Sequence, residues 1–96
     1  MSVYLINIHV GHVHDENCNH HHHYDSNLER KIKSLGSWAH ILPTSFVIET
    51  DINSEEIAKA LNEVKDSNDL FFVTKINDDF NGAIHPKALE WIKSRI

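Results

Sequence analysis

Between positions 9 and 23 the chain places His9, His12, His14, His20, His21, His22 and His23 together with Cys18, so seven of its nine histidines and its only cysteine occupy fifteen residues. Imidazole suits zinc, nickel, copper and iron, and thiolate is a strong zinc ligand. His12 and His14 lie two apart, so an extended backbone presents both rings on one face. Cys18 and one or two of His20 to His23, returning on the far arm of a loop, complete a tetrahedral set, and Asp15 and Glu16 either coordinate or orient a ring from behind. The spacing His-x-His-x-x-x-Cys-x-His matches no standard zinc finger, so the expectation rests on local density. It names His9, His12, His14, Cys18, His20 and His22 as the candidate ligands for a transition ion, zinc by preference. The bland rival is a solvated histidine tract that binds a nickel column and does nothing in the cell. Cys18 has no partner in the chain for a disulfide, and its neighbours Asn17 and Asn19 are no base for a nucleophilic thiol.

Charge narrows the rest. Fourteen acidic residues against nine basic ones give a formal charge of -5, which disfavours non-specific binding along a phosphate backbone. Protonating all nine histidines would carry that charge to +4, so the surface field and any bound metal should respond to pH near the ordinary histidine pKa of about 6.5. No apolar run approaches the roughly 20 residues of a membrane span, and no basic segment followed by an apolar run opens the chain. A soluble cytoplasmic protein without membrane contact is expected.

The elements that must position the cluster are legible from periodicity. Val3 to Val10 alternates as a strand, with Tyr4, Ile6, Ile8 and Val10 on one face and Val3, Leu5, Asn7 and His9 on the other, the last two at the sheet rim. Gly11 bends the chain as the histidine-rich segment begins. Ser26-Asn27-Leu28-Glu29 is a capping-box pattern opening a helix over about residues 26–35, closed by Gly36. Trp38 to Leu42 and Ser45 to Thr50 read as strands joined at Pro43-Thr44. Asn53 or Ser54 caps a second helix with a stripe of Ile57, Leu61 and Val64. Leu70 to Ile76 is a last strand, and Pro86 starts a terminal helix with Leu89, Ile92 and Ile96 on one face.

This order predicts an α+β fold, a ferredoxin-like βαββαβ domain spanning residues 1–96, in which a four-stranded antiparallel sheet carries two helices on one face plus a short C-terminal helix. The histidine-rich segment, residues 11–25, is then an inserted loop. The second sheet face, carrying Leu5 and Trp38, is expected to be bare and to drive a homodimer by sheet-to-sheet or edge pairing. Smaller candidates have plainer readings. His40 is a hydrogen-bonded sheet histidine, with facing His9 across the sheet as the alternative, and His85 caps the terminal helix. Arg30, Lys31 and Lys33 complement a helix dipole. Asp78-Asp79 marks a turn, and Trp38, Phe80 and Trp91 are core or dimer contacts.

Tyr4-Leu5-Ile6-Asn7, Ile32-Lys33-Ser34-Leu35-Gly36-Ser37-Trp38-Ala39-His40, Thr44-Ser45-Phe46-Val47-Ile48-Glu49-Thr50-Asp51 and Pro86-Lys87-Ala88-Leu89-Glu90-Trp91-Ile92-Lys93 together resemble the SinR-type branch of the Cas-two-like proteins, small ferredoxin-like homodimers related to the CRISPR adaptation protein. The resemblance covers nearly the whole chain outside residues 11–25, and Leu-Gly-Ser-Trp is its most specific part. In that family the first strand commonly ends in Tyr-Asp, and in its nuclease members this Asp is implicated in binding a divalent ion. The matching positions here are Ile8-His9, and an imidazole in place of a carboxylate argues against inherited magnesium chemistry. The expected function is therefore metal binding with action through a protein or nucleic-acid partner rather than catalysis. The alternative is a metal-dependent nuclease in which His9 and His12 replace the carboxylate and a metal-bound hydroxide attacks a phosphodiester.

Overall fold

Alternation along the first strand decides how the molecule is layered. In the computed structural model, which describes residues 1–11 and 26–96, β1 (Ser2–His9) buries Tyr4, Ile6 and Ile8 on one face and Val3 on the other. The remaining elements are α1 (Asn27–Ser34), β2 (Ser37–Leu42), β3 (Ser45–Thr50), α2 (Ser54–Asn62), β4 (Leu70–Ile76) and α3 (Pro86–Lys93). The fold is α+β, with one four-stranded antiparallel sheet in the order β2-β3-β1-β4 and three helices among the described residues. None of those helices is long and apolar enough to cross a membrane.

Each helix starts where its sequence directs. Ser26 Oγ accepts from the Glu29 N–H at 3.1 Å, one half of the expected capping box, while the Glu29 carboxylate lies 4.0 Å from Lys33 one turn on. At α2 both halves form: Asn53 Oδ1 accepts from Glu56 N–H at 2.9 Å, and Glu56 Oε1 from Asn53 N–H at 3.2 Å. Pro86 opens α3 behind an N-cap His85, whose Nδ1 accepts from Lys87 N–H at 3.1 Å. The helix stripes then meet one sheet face. Leu28 and Ile32 of α1 and Ile57 and Leu61 of α2 pack with Tyr4, Ile6, Ile8, Phe46 and Ile48.

The opposite face departs from expectation, because it is not bare. Ile92 of α3 packs on Val3 and Val47, with Leu5, Ala39, Ile76, Phe80, Ile84 and Trp91 around them, so α3 and residues 77–85 cover the end of the sheet where β1 begins. Arg95 fastens this cover: its Nε lies 3.4 Å from Glu49 Oε1, and its guanidinium sits 4.1 Å from the Trp91 ring centroid. A cleft of about 390 Å³ remains between cover and sheet, lined by Leu5, Ile41, Leu42, Phe80 and Leu89 among others. Short sequence periodicity placed Leu89 and Ile92 on one helical face but carried no signal that the face folds back onto this sheet. Ile96, expected on the same stripe, lies past the helix end and is exposed.

Trp38 also moves. Its register partner is Ile48, which puts it on the α1/α2 face, where Lys33 Nζ stands 4.6 Å from its ring centroid. The helix-side core makes the most direct stability test. Phe46 is fully buried between the sheet and both helices. Phe46→Ala is expected to lower the unfolding free energy by about 3–5 kcal/mol in urea denaturation, and a loss below about 1 kcal/mol would contradict this packing.

Candidate functional site

β1 carries its last two second-face side chains, Asn7 and His9, out of the core to an exposed rim. Asn7 is held there by the β2–β3 hairpin: its Oδ1 accepts from Ser45 Oγ at 2.8 Å and from Thr44 Oγ1 at 3.2 Å, and Ile8 N–H donates to the Thr44 carbonyl at 2.9 Å. His9 is the final residue of the strand and pairs with Leu70 of β4, on the same sheet face as Asn7. Its flanks are therefore an amide and a leucine.

Two residues on, the chain is gripped by the connection between α2 and β4. Gly11 N–H donates to Asp69 Oδ1 at 3.1 Å, and Asp69 Oδ2 accepts from Asp66 N–H at 3.0 Å. The Asp69 N–H donates back to the Asp66 carbonyl at 3.0 Å, and Lys65 Nζ reaches the carbonyls of Asp66 and Asp69 at 3.1 and 3.2 Å. Asp69 is only 3% exposed, and its carboxylate satisfies one backbone donor of its own connection and one from the end of β1. The glycine is required by approach rather than by backbone angle, since a Cβ at position 11 would stand 2.4 Å from the Asn68 carbonyl oxygen and 2.9 Å from Asn68 Cβ. At the far side, the Ser26 cap fixes the entry to α1, and its carbonyl accepts from Arg30 N–H at 3.0 Å. Residues 12–25 thus run between two hydrogen-bonded anchors.

Of the sequence-predicted ligands, His9 lies at this rim. His12, His14, Cys18, His20 and His22 lie outside the described residues, as do Asp15, Glu16, His21 and His23. Among the described residues no group of three or more His, Cys, Asp or Glu side chains could hold a metal ion, so any complete ligand set draws on residues 12–25. His40 does not face His9. Its partner Phe46 belongs to the helix-side core, the two rings stack at 4.3 Å, and His40 Nε2 lies 3.2 Å from the Pro43 carbonyl oxygen. Asp79 N–H donates to Asn77 Oδ1 at 2.8 Å, the turn expected there. Arg30 bonds Asn27 Oδ1 at 2.7 Å, and Lys33 pairs with Glu29 and stands over the Trp38 ring.

Periodicity missed the Asp69 clamp, although Asp66-Ser67-Asn68-Asp69 is rich in turn residues. What was unreadable is which backbone donor the carboxylate reaches 58 positions away. Asp69→Ala would remove the acceptor of the part-buried Gly11 and Asp66 amides, at about 0.5–1.5 kcal/mol for each lost hydrogen bond. Hydrogen exchange at the Gly11 amide is expected to accelerate about tenfold or more; an unchanged Gly11 rate would show that the clamp does not hold the strand exit. Comparison of the chain with protein-family models, with curated proteins and with solved structures finds no match.

Proposed function

We propose that the chain is a small ferredoxin-like homodimer of the Cas-two-like, SinR-type kind that binds a transition ion, zinc by its donor chemistry, with four ligands drawn from among His9, His12, His14, Cys18, His20 and His22. It acts in the cytoplasm through a macromolecular partner rather than by catalysis. The strand order β2-β3-β1-β4, with α1 and α2 on one face, supports the split βαβ arrangement. The observation that carries the metal reading is the pair of anchors at Gly11 and Ser26, which bracket a segment that, with His9, holds seven of the nine histidines and the only cysteine. Fixing both ends of a donor-rich segment lowers the conformational entropy lost when an ion gathers its ligands.

Binding is favoured over hydrolysis by what surrounds His9. A two-carboxylate or carboxylate-plus-imidazole centre would suit magnesium or manganese and phosphodiester attack, whereas His9 has Asn7 beside it and Leu70 across from it. A protein partner is favoured over nucleic acid by the formal charge of -5.

Untagged protein prepared without contact with nickel and stripped of metal is expected to take up about one zinc per chain in calorimetry against a competing chelator. Cys18→Ser and the double variant His12→Ala, His14→Ala should each weaken the affinity by about tenfold or more. Uptake below about a tenth of an equivalent would defeat the proposal. The zinc-loaded protein is also expected to leave single- and double-stranded DNA and RNA intact; cleavage that a chelator stops and His9→Ala removes would instead establish the nuclease.

A further inference from the structure

The two edges of the sheet are built differently. β2 is guarded in the manner of a terminal strand: its register shifts between His40 and Leu42, and Pro43 follows immediately. Such irregularities discourage a further strand from adding. β4 carries a single charge, Lys75 near its end, as its guard. It pairs with β1 through seven consecutive residues without a shift, and it contains neither proline nor glycine. It is also apolar on both faces. Phe71 and Val73 pack on the helix-side core, while Leu70 and Phe72 stand on the opposite face, 65% and 70% exposed. Apolar side chains on both faces mark a strand whose faces are both covered, which an edge with bare Leu70 and Phe72 is not.

The cover on the second face is lopsided along β4. Ile76, at the end of the strand, packs with the cluster that includes Phe80 and Ile84, whereas Leu70 and Phe72, at its start, lie beyond that cover. A strand added antiparallel reverses direction, so the end of one β4 lies beside the start of the other. If the added strand is the same sequence, each covered end meets the other's bare end.

The geometry points to a second copy of this chain as the occupant, its β4 pairing antiparallel with β4 about a two-fold axis through Val73. This rests on the homodimer proposed above and names its interface. The register uses all seven residues of the strand. It sets Leu70 opposite the second copy's Ile76 and Phe72 opposite Thr74, and it places Lys75 across from Phe71 rather than from another lysine. The contact is isologous and closes at two copies, joining two four-stranded sheets into one. One strand edge with two bare side chains per copy buries less than the roughly 1,600 Å² of a standard interface, so association is a weak, concentration-dependent equilibrium.

Sedimentation equilibrium of the full chain, with and without chelator, is expected to show a mass rising toward twice the 11.1 kDa of one chain as concentration increases. Phe72→Glu, at a largely exposed site, should keep the circular dichroism spectrum and melting temperature while weakening the dimer by about tenfold or more. On a Cys18→Ser background, Val73→Cys should form a disulfide-linked dimer on mild oxidation, and Ser37→Cys on the β2 edge should not. A wild-type chain that stays monomeric removes both the homodimer and this interface. A dimer that survives Phe72→Glu and gives no Val73→Cys crosslink overturns the edge pairing alone and leaves sheet-to-sheet packing. A dimer that dissociates only when chelator is added assigns the contact to bound metal and also overturns the edge pairing.

Discussion

The constraint on which the rest depends is that β1 lies inside the sheet and has to be covered on both faces. It pairs with β3 on one side and β4 on the other, and it buries Tyr4, Ile6 and Ile8 under α1 and α2 while Val3 lies under α3. An interior strand satisfies its backbone groups through two ladders, so its cost in ordering is offset by hydrogen bonds on both edges and apolar contacts on both faces. Polar residues cannot stay in such a position, and the strand therefore leaves the core where Asn7 and His9 begin. The exit point fixes where the histidine-rich segment starts, and the Ser26 cap fixes where it ends.

At that exit two side chains make hydrogen bonds to distant parts of the chain. Asn7 ties β1 to the β2–β3 hairpin, and Asp69 ties Gly11 to the α2–β4 connection. The two contacts come from opposite sides of β1, so the end of the strand is braced across the sheet order. A buried carboxylate accepting two backbone N–H bonds is a costly group to place unless both donors are present. Here one donor, Asp66, lies in the same connection as the carboxylate, and the other, Gly11, comes from the exit of β1. The asymmetry of the C-terminal cover follows from the same layout. α3 has one short stripe, Ala88 and Ile92, and protects only the half of the second face near the start of β1. Leu70 and Phe72, beside the exit, are left over.

Elements were legible in the sequence because they depend on neighbours in the chain. The alternation of β1, the Pro43-Thr44 hairpin, the Asn53 and Ser26 caps and the Pro86 helix start all stand where local chemistry puts them. The plain readings of His85 and His40, one a cap and the other a hydrogen-bonded sheet residue, also hold, since a residue before Pro or on a strand near a turn has few partners to choose from. Faces beyond β1 were harder. Trp38 and Leu5 were placed on one face, yet the register through β3 puts Trp38 opposite Ile48 and Leu5 opposite Val47, on different faces. Period-two reasoning fixes which residues of one strand share a face but not how two strands align, which hydrogen-bond register decides. The fold-back of α3 and the reach of Asp69 to Gly11 were likewise invisible, because each joins segments far apart in sequence. His9 was correctly placed at the rim, while the other named ligands lie outside the described residues.

The central claim is that a donor-rich segment, anchored at the end of β1 and at the start of α1, gathers a transition ion by imidazole and thiolate. X-ray absorption at the zinc edge of the stoichiometrically loaded, untagged protein tests it most directly. The account predicts a four-coordinate shell of imidazole nitrogens at about 2.0–2.1 Å with one sulfur at about 2.3 Å, the sulfur lost in Cys18→Ser. A shell of oxygen alone, unaltered by Cys18→Ser or by His12→Ala with His14→Ala, would contradict it.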